Sequence, residues 1–234
     1  MIAIIGNGNV ASHLHTALKD KTEVVLVNSR TLEGLPENPD IVLISVSDNA
    51  IEEVAQRLPK TDAIVAHTSG STPMTILKED KIGVFYPLQT FTKGVELNYS
   101  EIPVFIEGSS PTVVEKLKEL AQLFSNDVRE ADSESRRKLH LASVFACNFT
   151  NALAGISEEI LKDSGIDFSV ILPLMRQTLN KLGKLSPKEA QTGPAVRGDT
   201  VVMDKHLDML ESKPEFQHIY KQFSKIIKDR NNGL

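Results

Sequence analysis

Ile2-Ala3-Ile4-Ile5-Gly6-Asn7-Gly8-Asn9-Val10-Ala11 is the stretch on which the reading of this chain turns. Four apolar residues make a short buried strand and run directly into a G-x-G-x-x-A turn that opens a helix. Gly6 permits the tight turn, Gly8 lets a pyrophosphate approach the backbone, and Ala11 lets the helix pack closely on the strand. The first turn of the helix offers unpaired N–H groups and the positive end of a dipole. These residues predict a phosphate-binding turn at Gly6, Asn7, Gly8, Asn9 and Val10, set in an α/β fold.

The rest of the first half supports that fold. β-Branched runs predict strands at 2–5, 23–27, 41–46, 63–67, 82–86 and 104–107, with amphipathic helices at 10–19, 50–58, 72–77 and 112–124. Residues 31–40 carry Gly34, Pro36 and Pro39 and cannot hold a crossover helix. Beyond about residue 131 the strand pattern stops. A long helix over 133–163 closes near Gly165, and Asp167 caps another that runs to Lys181. Ser186-Pro187 begins a short helix, Asp199 caps the next, and Ser212 with Glu215 has capping-box spacing for the last. The expected architecture is a Rossmann-like, mostly parallel sheet domain in residues 1–131, then an all-helical substrate and dimerisation domain in 132–234.

With 234 residues, 41% of them hydrophobic, the chain can bury one large core or two modest ones. A formal charge of -5 with scattered basic residues argues against a nucleic-acid partner. The single cysteine, Cys147, fits a reducing compartment, and no basic, apolar export signal precedes the glycine turn; the expected location is cytoplasmic. Residues 139–157 are uncharged at neutral pH but include His140, Asn148, Thr150 and Asn151, which are costly in hydrocarbon, so a buried helix is expected rather than a membrane span.

The choice of dinucleotide is made at the end of the second strand, roughly twenty residues past the glycine turn. An acid there binds the ribose hydroxyls of NAD. Here the strand ends in Asn28-Ser29-Arg30, whose amide, hydroxyl and guanidinium suit a 2′-phosphate, so NADP is the expected cofactor. Val46 and Ser47, at the carboxyl edge of the third strand, border it, and Asp48 caps the helix beyond them. The fourth strand ends in His67-Thr68-Ser69-Gly70, where His67 or Ser69 can face nicotinamide or substrate; a turn and cap before Pro73 explains the same residues structurally.

On a wheel of about 100° per residue, Arg137, His140, Asn148 and Asn151 fall within roughly 80°. Leu141, Phe145, Phe149, Ala152 and Ile156 form a second face, while Ser143, Cys147, Thr150 and Ala154 form a third of small residues. Lys and Glu are missing from 139–157, which predicts burial on all sides. The polar stripe either pairs with neighbouring helices or lines a pocket, with His140 as a general acid or base or a satisfied structural histidine. The loop from Thr192 to Asp199 carries Arg197, suited to a substrate carboxylate or phosphate or to a structural link with a carboxylate. His13 with His15, and His206 with Asp208, sit two apart on helices and point in different directions, so no metal site is expected. Cys147 reads as a packing residue.

The glycine turn, Asn28-Ser29-Arg30, His67-Thr68-Ser69-Gly70, Tyr86-Pro87-Leu88-Gln89-Thr90-Phe91, the run from Lys138-Leu139-His140 to Asn148 and the Thr192–Asp199 loop together resemble bacterial proteins provisionally named NADP oxidoreductases. The resemblance covers essentially the whole chain. It implies a Rossmann-like domain joined to a helical C-terminal domain of uncharacterised function. More distantly the arrangement is similar to deazaflavin-dependent NADP reductases, pyrroline-carboxylate reductases and β-hydroxyacid dehydrogenases, in which the helical domain covers the nicotinamide and often forms a dimer. The catalytic lysine and asparagine arrangement of the β-hydroxyacid dehydrogenases has no counterpart here, although Lys138 and Asn148 lie in a comparable helix.

The sequence therefore reads as an NADP(H)-dependent oxidoreductase acting on a small polar metabolite in a cleft between domains. His140, Asn148, Arg197 and His67 are the candidate catalytic residues, and Ser69 joins the cofactor-binding set. A homodimer through the helical domain is expected. The competing class is a non-catalytic NADP-binding protein with a regulatory or assembly role.

Overall fold

The computed structural model describes residues 1–231. Its first elements are β1 (Ile2–Ile5), α1 (Asn9–Leu18), β2 (Val24–Val27), β3 (Ile41–Ile44), α2 (Ile51–Gln56), β4 (Ile64–His67), β5 (Ile82–Pro87), β6 (Val104–Gly108), α3 (Pro111–Gln122) and β7 (Val128–Glu130). The remainder is helical: α4 (Ser133–Ser143), a π-helical segment (Val144–Asn148), α5 (Phe149–Leu161), α6 (Leu172–Leu182), α7 (Pro187–Ala190), α8 (Pro194–Arg197), α9 (Thr200–Met209) and α10 (Pro214–Asn231). The seven strands form one Rossmann-like sheet in the order β2-β1-β3-β4-β5-β6-β7, parallel from β2 to β5 and again between β6 and β7, with an antiparallel pairing of β5 and β6.

Strands of a parallel sheet are covered on both faces, so their side chains alternate between two cores. Ile2 and Ile4 of β1 pack with Leu14 and Leu18 of α1 and with Leu117 of α3. Ala3 and Ile5 enter the opposite core with Ile51 and Val54 of α2. As expected, no helix joins β2 to β3. Leu32 and Leu35 of the connecting loop pack on the second core in its place, with Leu32 at a φ of 58°.

Several expectations need correction. Residues 72–77 hold only a 3₁₀ turn, Met74–Ile76. β7 went unforeseen because Val128-Arg129-Glu130 is short and charged, and pairing with β6 rather than its own periodicity makes it a strand. The last helix begins at Pro214, past the cap expected at Ser212.

The chain forms two compact units, Met1–Asn148 and Phe149–Leu234, so the boundary falls later than the polar stretch near 131. α4 stays with the sheet because Arg136 anchors it. This side chain is fully buried; Nε donates to the Ser69 carbonyl at 3.2 Å, Nη2 to the Thr72 carbonyl at 2.5 Å, and Nη1 pairs with the Glu107 carboxylate on β6. Ser133 also donates to Glu107, at 2.8 Å, and accepts from the Met74 N–H at 3.1 Å.

The expectation of a helix buried on all sides fails for this chain. The run Ser133–Ser164 is long and apolar enough to cross a bilayer, and none of its most apolar window is buried. Leu141 is 59% exposed, and Cys147 is exposed rather than packed. The π-helical segment also breaks the wheel: its i→i+5 bonding admits an extra residue and shifts the phase of Val144–Asn148 from that of α4. His140 and Asn148 therefore do not keep the phase assigned to them.

In the second unit, Ala195 and Leu210 are the buried residues among those described, while Leu174 and Leu179 of α6 are 67% and 62% exposed. Its local chemistry is otherwise regular. Ser186 and Glu189 form a reciprocal capping box, and Asp199 accepts from the Val202 N–H to cap α9.

Replacing Arg136 with Met keeps the volume but strips the donors from Glu107 and two carbonyls. The Arg136→Met variant should lose about 3–5 kcal/mol in chemical denaturation, as expected when one partner of a buried ion pair is removed. A loss under about 1 kcal/mol would reduce the anchor to an incidental contact.

Candidate functional site

Strand order reverses about β1: β2 lies on one side of it and β3 on the other. Connections leave such a point in opposite directions and open a crevice at the carboxyl ends of the strands. Here the crevice is a cavity of about 840 Å³ lined by the segments just past β1, β2, β3 and β4, the end of β5 and the loop after it, one side of α2 and His140 of α4.

Gly6 turns the chain at a φ of 139°, and a Cβ there would lie 2.1 Å from the Ser45 carbonyl oxygen, so only glycine fits. Around the corresponding position of Gly8 nothing lies within 4 Å, which leaves the backbone open to a bulky group. α1 begins at Asn9 with no side-chain cap and no acid in its first turn, so its N–H groups remain available to an anion. Asn7, Gly8, Asn9 and Val10 line the cavity, whereas Gly6 shapes the turn from beneath. The loop after β5 braces this turn. Asn9 donates to the Phe91 carbonyl at 2.9 Å, Lys93 Nζ reaches Asn7 Oδ1 at 3.3 Å, and buried His13 contacts Tyr99 Oη and the Thr92 carbonyl, each at 2.9 Å. Nothing in the local pattern marks Lys93 as a neighbour of the glycine turn.

At the end of β2, Ser29 and Arg30 line the cavity. Asn28 does not; its Oδ1 accepts the Arg30 N–H at 2.8 Å and the Thr31 N–H at 3.3 Å, holding the turn in shape. Val46 and Ser47 line the cavity. Asp48 makes no cap for its own helix and instead accepts from the Ser71 hydroxyl. Ser69 lines the cavity, but its hydroxyl serves its own turn, accepting from the Ser71 and Thr72 N–H groups at 3.1 and 3.0 Å.

His67 is wholly buried beneath this turn and is absent from the cavity wall, which corrects the expectation that it faces nicotinamide or substrate. Its Nδ1 accepts the Ser69 N–H at 3.2 Å, and Nε2 has no hydrogen-bond partner. Burial first, then the nearby Arg136 charge, lowers its pKa from 6.5 to about 4, so the ring is neutral at physiological pH.

Of the two alternatives for His140, the structure places it on the cavity wall, with a companion that sequence reasoning missed. Tyr86 Oη lies 3.3 Å from His140 Nδ1, and both side chains line the cavity. They close over Gly70, where a Cβ would fall 2.6 Å from the phenol ring and 2.8 Å from His140 Nδ1. Burial raises the Tyr86 pKa and keeps the hydroxyl protonated. In the sequence Tyr86 enters only through the Tyr86-to-Phe91 string that carries the resemblance, with no role of its own; the glycine in a neighbouring turn is the one local signal of the close approach. Asn148 is exposed and is not among the lining residues. Arg197 belongs to the second unit, where it is exposed at the end of α8. Among the described residues no group of three or more His, Cys, Asp or Glu side chains is placed to hold a metal ion.

Comparison with known proteins adds context to this geometry. The family described as Domain of unknown function (DUF2520) matches residues 102–227. A crystal structure from Bacteroides fragilis, provisionally named an NADP oxidoreductase, is 36% identical, with 97% of each chain covered and a TM-score of 0.89. A Thermotoga maritima protein is 24% identical over 99% of this chain and 98% of its own, with a TM-score of 0.77. A reductive aminase from Aspergillus terreus, solved with NADPH and ethyl-5-oxohexanoate, shares the fold at 13% identity, covering 99% of this chain and 94% of its own with a TM-score of 0.74. No curated protein matches the sequence.

The buried imidazole makes stability pH-dependent. Between pH 6.5 and about 4 the unfolded chain takes up a proton that folded His67 refuses, so stability falls with pH across that window by up to about 3 kcal/mol. Denaturation curves at pH 7 and pH 4 should show this component in the native chain and lack it in His67→Gln. An unchanged difference in the variant would assign the acid sensitivity elsewhere.

Proposed function

We propose, from the premise that the chain belongs to the DUF2520 family, that it is an NADP(H)-dependent oxidoreductase acting on a small polar metabolite. The observation that carries this reading is the cavity at the strand-order reversal, with an open glycine turn at one part of its wall and Arg30 at another. Asn7 to Val10 would receive the pyrophosphate on backbone N–H groups, with the Lys93 ammonium beside them. Ser29 and Arg30 would hold the 2′-phosphate, and Val46, Ser47 and Ser69 border the remaining cofactor. The bound cofactor supplies hydride.

The protein's own chemical contribution is a proton. Tyr86, kept protonated by burial, holds one at Oη in the cavity, and His140 Nδ1 stands within reach to replenish it. Arg136, one helical turn before His140, anchors the start of the helix that carries it. Arg197, in the second unit, carries an exposed guanidinium of the kind that binds a carboxylate or phosphate, and Asn148 an exposed amide.

The second unit supports a homodimer. A unit of these helices that buries only Ala195 and Leu210 among its described residues lacks a core of its own, and a second copy supplies matching apolar faces on α5 and α6. The uncharged run in 133–164 is also compatible with a bilayer, but its amide and imidazole groups favour protein over hydrocarbon. A soluble dimer in the reducing cytoplasm is the resulting picture.

Three measurements test the reading. Arg30→Ala should weaken NADPH binding at least tenfold more than NADH binding, the scale of a lost charge-assisted contact; equal losses would sink the 2′-phosphate assignment. A screen of imines, keto acids and aldehydes should find NADPH-dependent turnover that Tyr86→Phe lowers by about 10²-fold or more. Tight NADPH binding with no turnover across that panel would favour the non-catalytic alternative. Analytical ultracentrifugation should report a dimer that Leu174→Glu and Leu179→Glu dissociate; a stable monomer, or flotation with vesicles, would overturn the dimer.

A further inference from the structure

The end of β2 meets a second arginine from elsewhere in the chain. Arg57, at the C-terminal end of α2, donates through Nη1 to the Ser29 carbonyl at 3.2 Å and through Nη2 to the Arg30 carbonyl. Its side chain lines the same cavity as Ser29 and Arg30. So does Glu53, one helical turn earlier, whose carboxylate lies 3.8 Å from Arg57 Nη1. Two guanidinium groups and one carboxylate therefore share this part of the wall.

The hydrogen bonding of Arg57 is incomplete. A guanidinium carries five N–H groups in a fixed fork, and the two carbonyls use only part of it. Glu53 is largely exposed and sits beyond hydrogen-bond distance, so its attraction is weak and screened. A phosphate monoester would offer the same fork a dianion with parallel acceptors, a far better partner. The two carbonyl bonds hold the Ser29–Arg30 turn against Arg57, and Asn28 holds the same turn from the other side through the Arg30 and Thr31 N–H groups. The Arg57 guanidinium and the backbone that carries Arg30 are thus held together, and both side chains line the same part of the cavity.

We propose that Arg30 and Arg57 together form a two-guanidinium seat for a phosphate monoester, and that Glu53 is the counter-charge the dianion displaces. This rests on the NADP reading, in which the 2′-phosphate is that monoester. Arg57 then determines cofactor choice as a direct ligand, and Glu53 opposes the dianion when the seat is filled.

The test is binding by the full chain, measured by titration calorimetry with NADPH, NADH, 2′,5′-ADP and 5′-AMP. Arg57→Ala should weaken NADPH and 2′,5′-ADP roughly tenfold or more while changing NADH and 5′-AMP less than about twofold, and Arg57→Lys should recover part of the loss. Glu53→Gln should act in the opposite direction, tightening NADPH a few-fold at low salt and leaving NADH unchanged. Equal losses for both cofactors in Arg57→Ala would make the residue a brace of the turn and overturn the seat. If that variant does not fold, an unchanged NADPH to NADH ratio in Glu53→Gln overturns it instead. Arg30→Ala separates the two failures. Selective loss there without selectivity at Arg57 rejects the paired seat alone, whereas no selectivity at Arg30 rejects the NADP reading beneath it.

Discussion

The burial of one guanidinium organises the sheet unit. Arg136 gives up all contact with water and recovers its hydrogen bonds from three places: the Ser69 and Thr72 carbonyls of the turn after β4 and the Glu107 carboxylate on β6. A buried charge is tolerable only when its donors are met, so the turn, the strand and the start of α4 must all be in register for any one of them to be stable. The consequences spread from there. The turn it holds carries Gly70, Gly70 lets Tyr86 and His140 close over it, and His140 lies one turn beyond Arg136 on the same helical face. The same positive charge helps to keep His67 neutral under the cavity floor.

The legible part of the sequence was local. β1 and the glycine turn can be read because a four-residue apolar strand and two glycines state their own conformation, and Pro36 and Pro39 rule out a helix by covalent geometry. Ser29 and Arg30 emerge from their distance to that turn. The features missed are long-range. Tyr86 and His140 are 54 positions apart, Arg57 and Arg30 are 27 apart, and Lys93 is 86 from Asn7. No periodicity encodes such pairs, since each residue alone has an ordinary explanation as core aromatic, helix-end cation or loop lysine. His67 illustrates the converse: its place at a strand end suggested a role in the site, but a side chain at a carboxyl edge can as well point into the second core.

The helical half shows a different limit. Its apolar pattern is strong, and burial is the ordinary physical expectation from such a pattern. Leu174 and Leu179 nevertheless lie open, because an apolar pattern records a preference for burial and not what does the burying. The wheel failed for a separate reason. Val144–Asn148 is π-helical, and a uniform angle per residue has no way to register the inserted step.

The loop after β5 has a mechanical side as well. It leaves the strand that carries Tyr86 and ends its crossing on Asn7, Asn9 and His13, so the glycine turn and the phenol belong to one braced span of sheet. Strand spacing sets the separation between them, with β3 and β4 lying between β1 and β5. The cavity therefore presents the glycine turn and the phenol as two ends of a single wall, joined by one loop rather than by two independent ones.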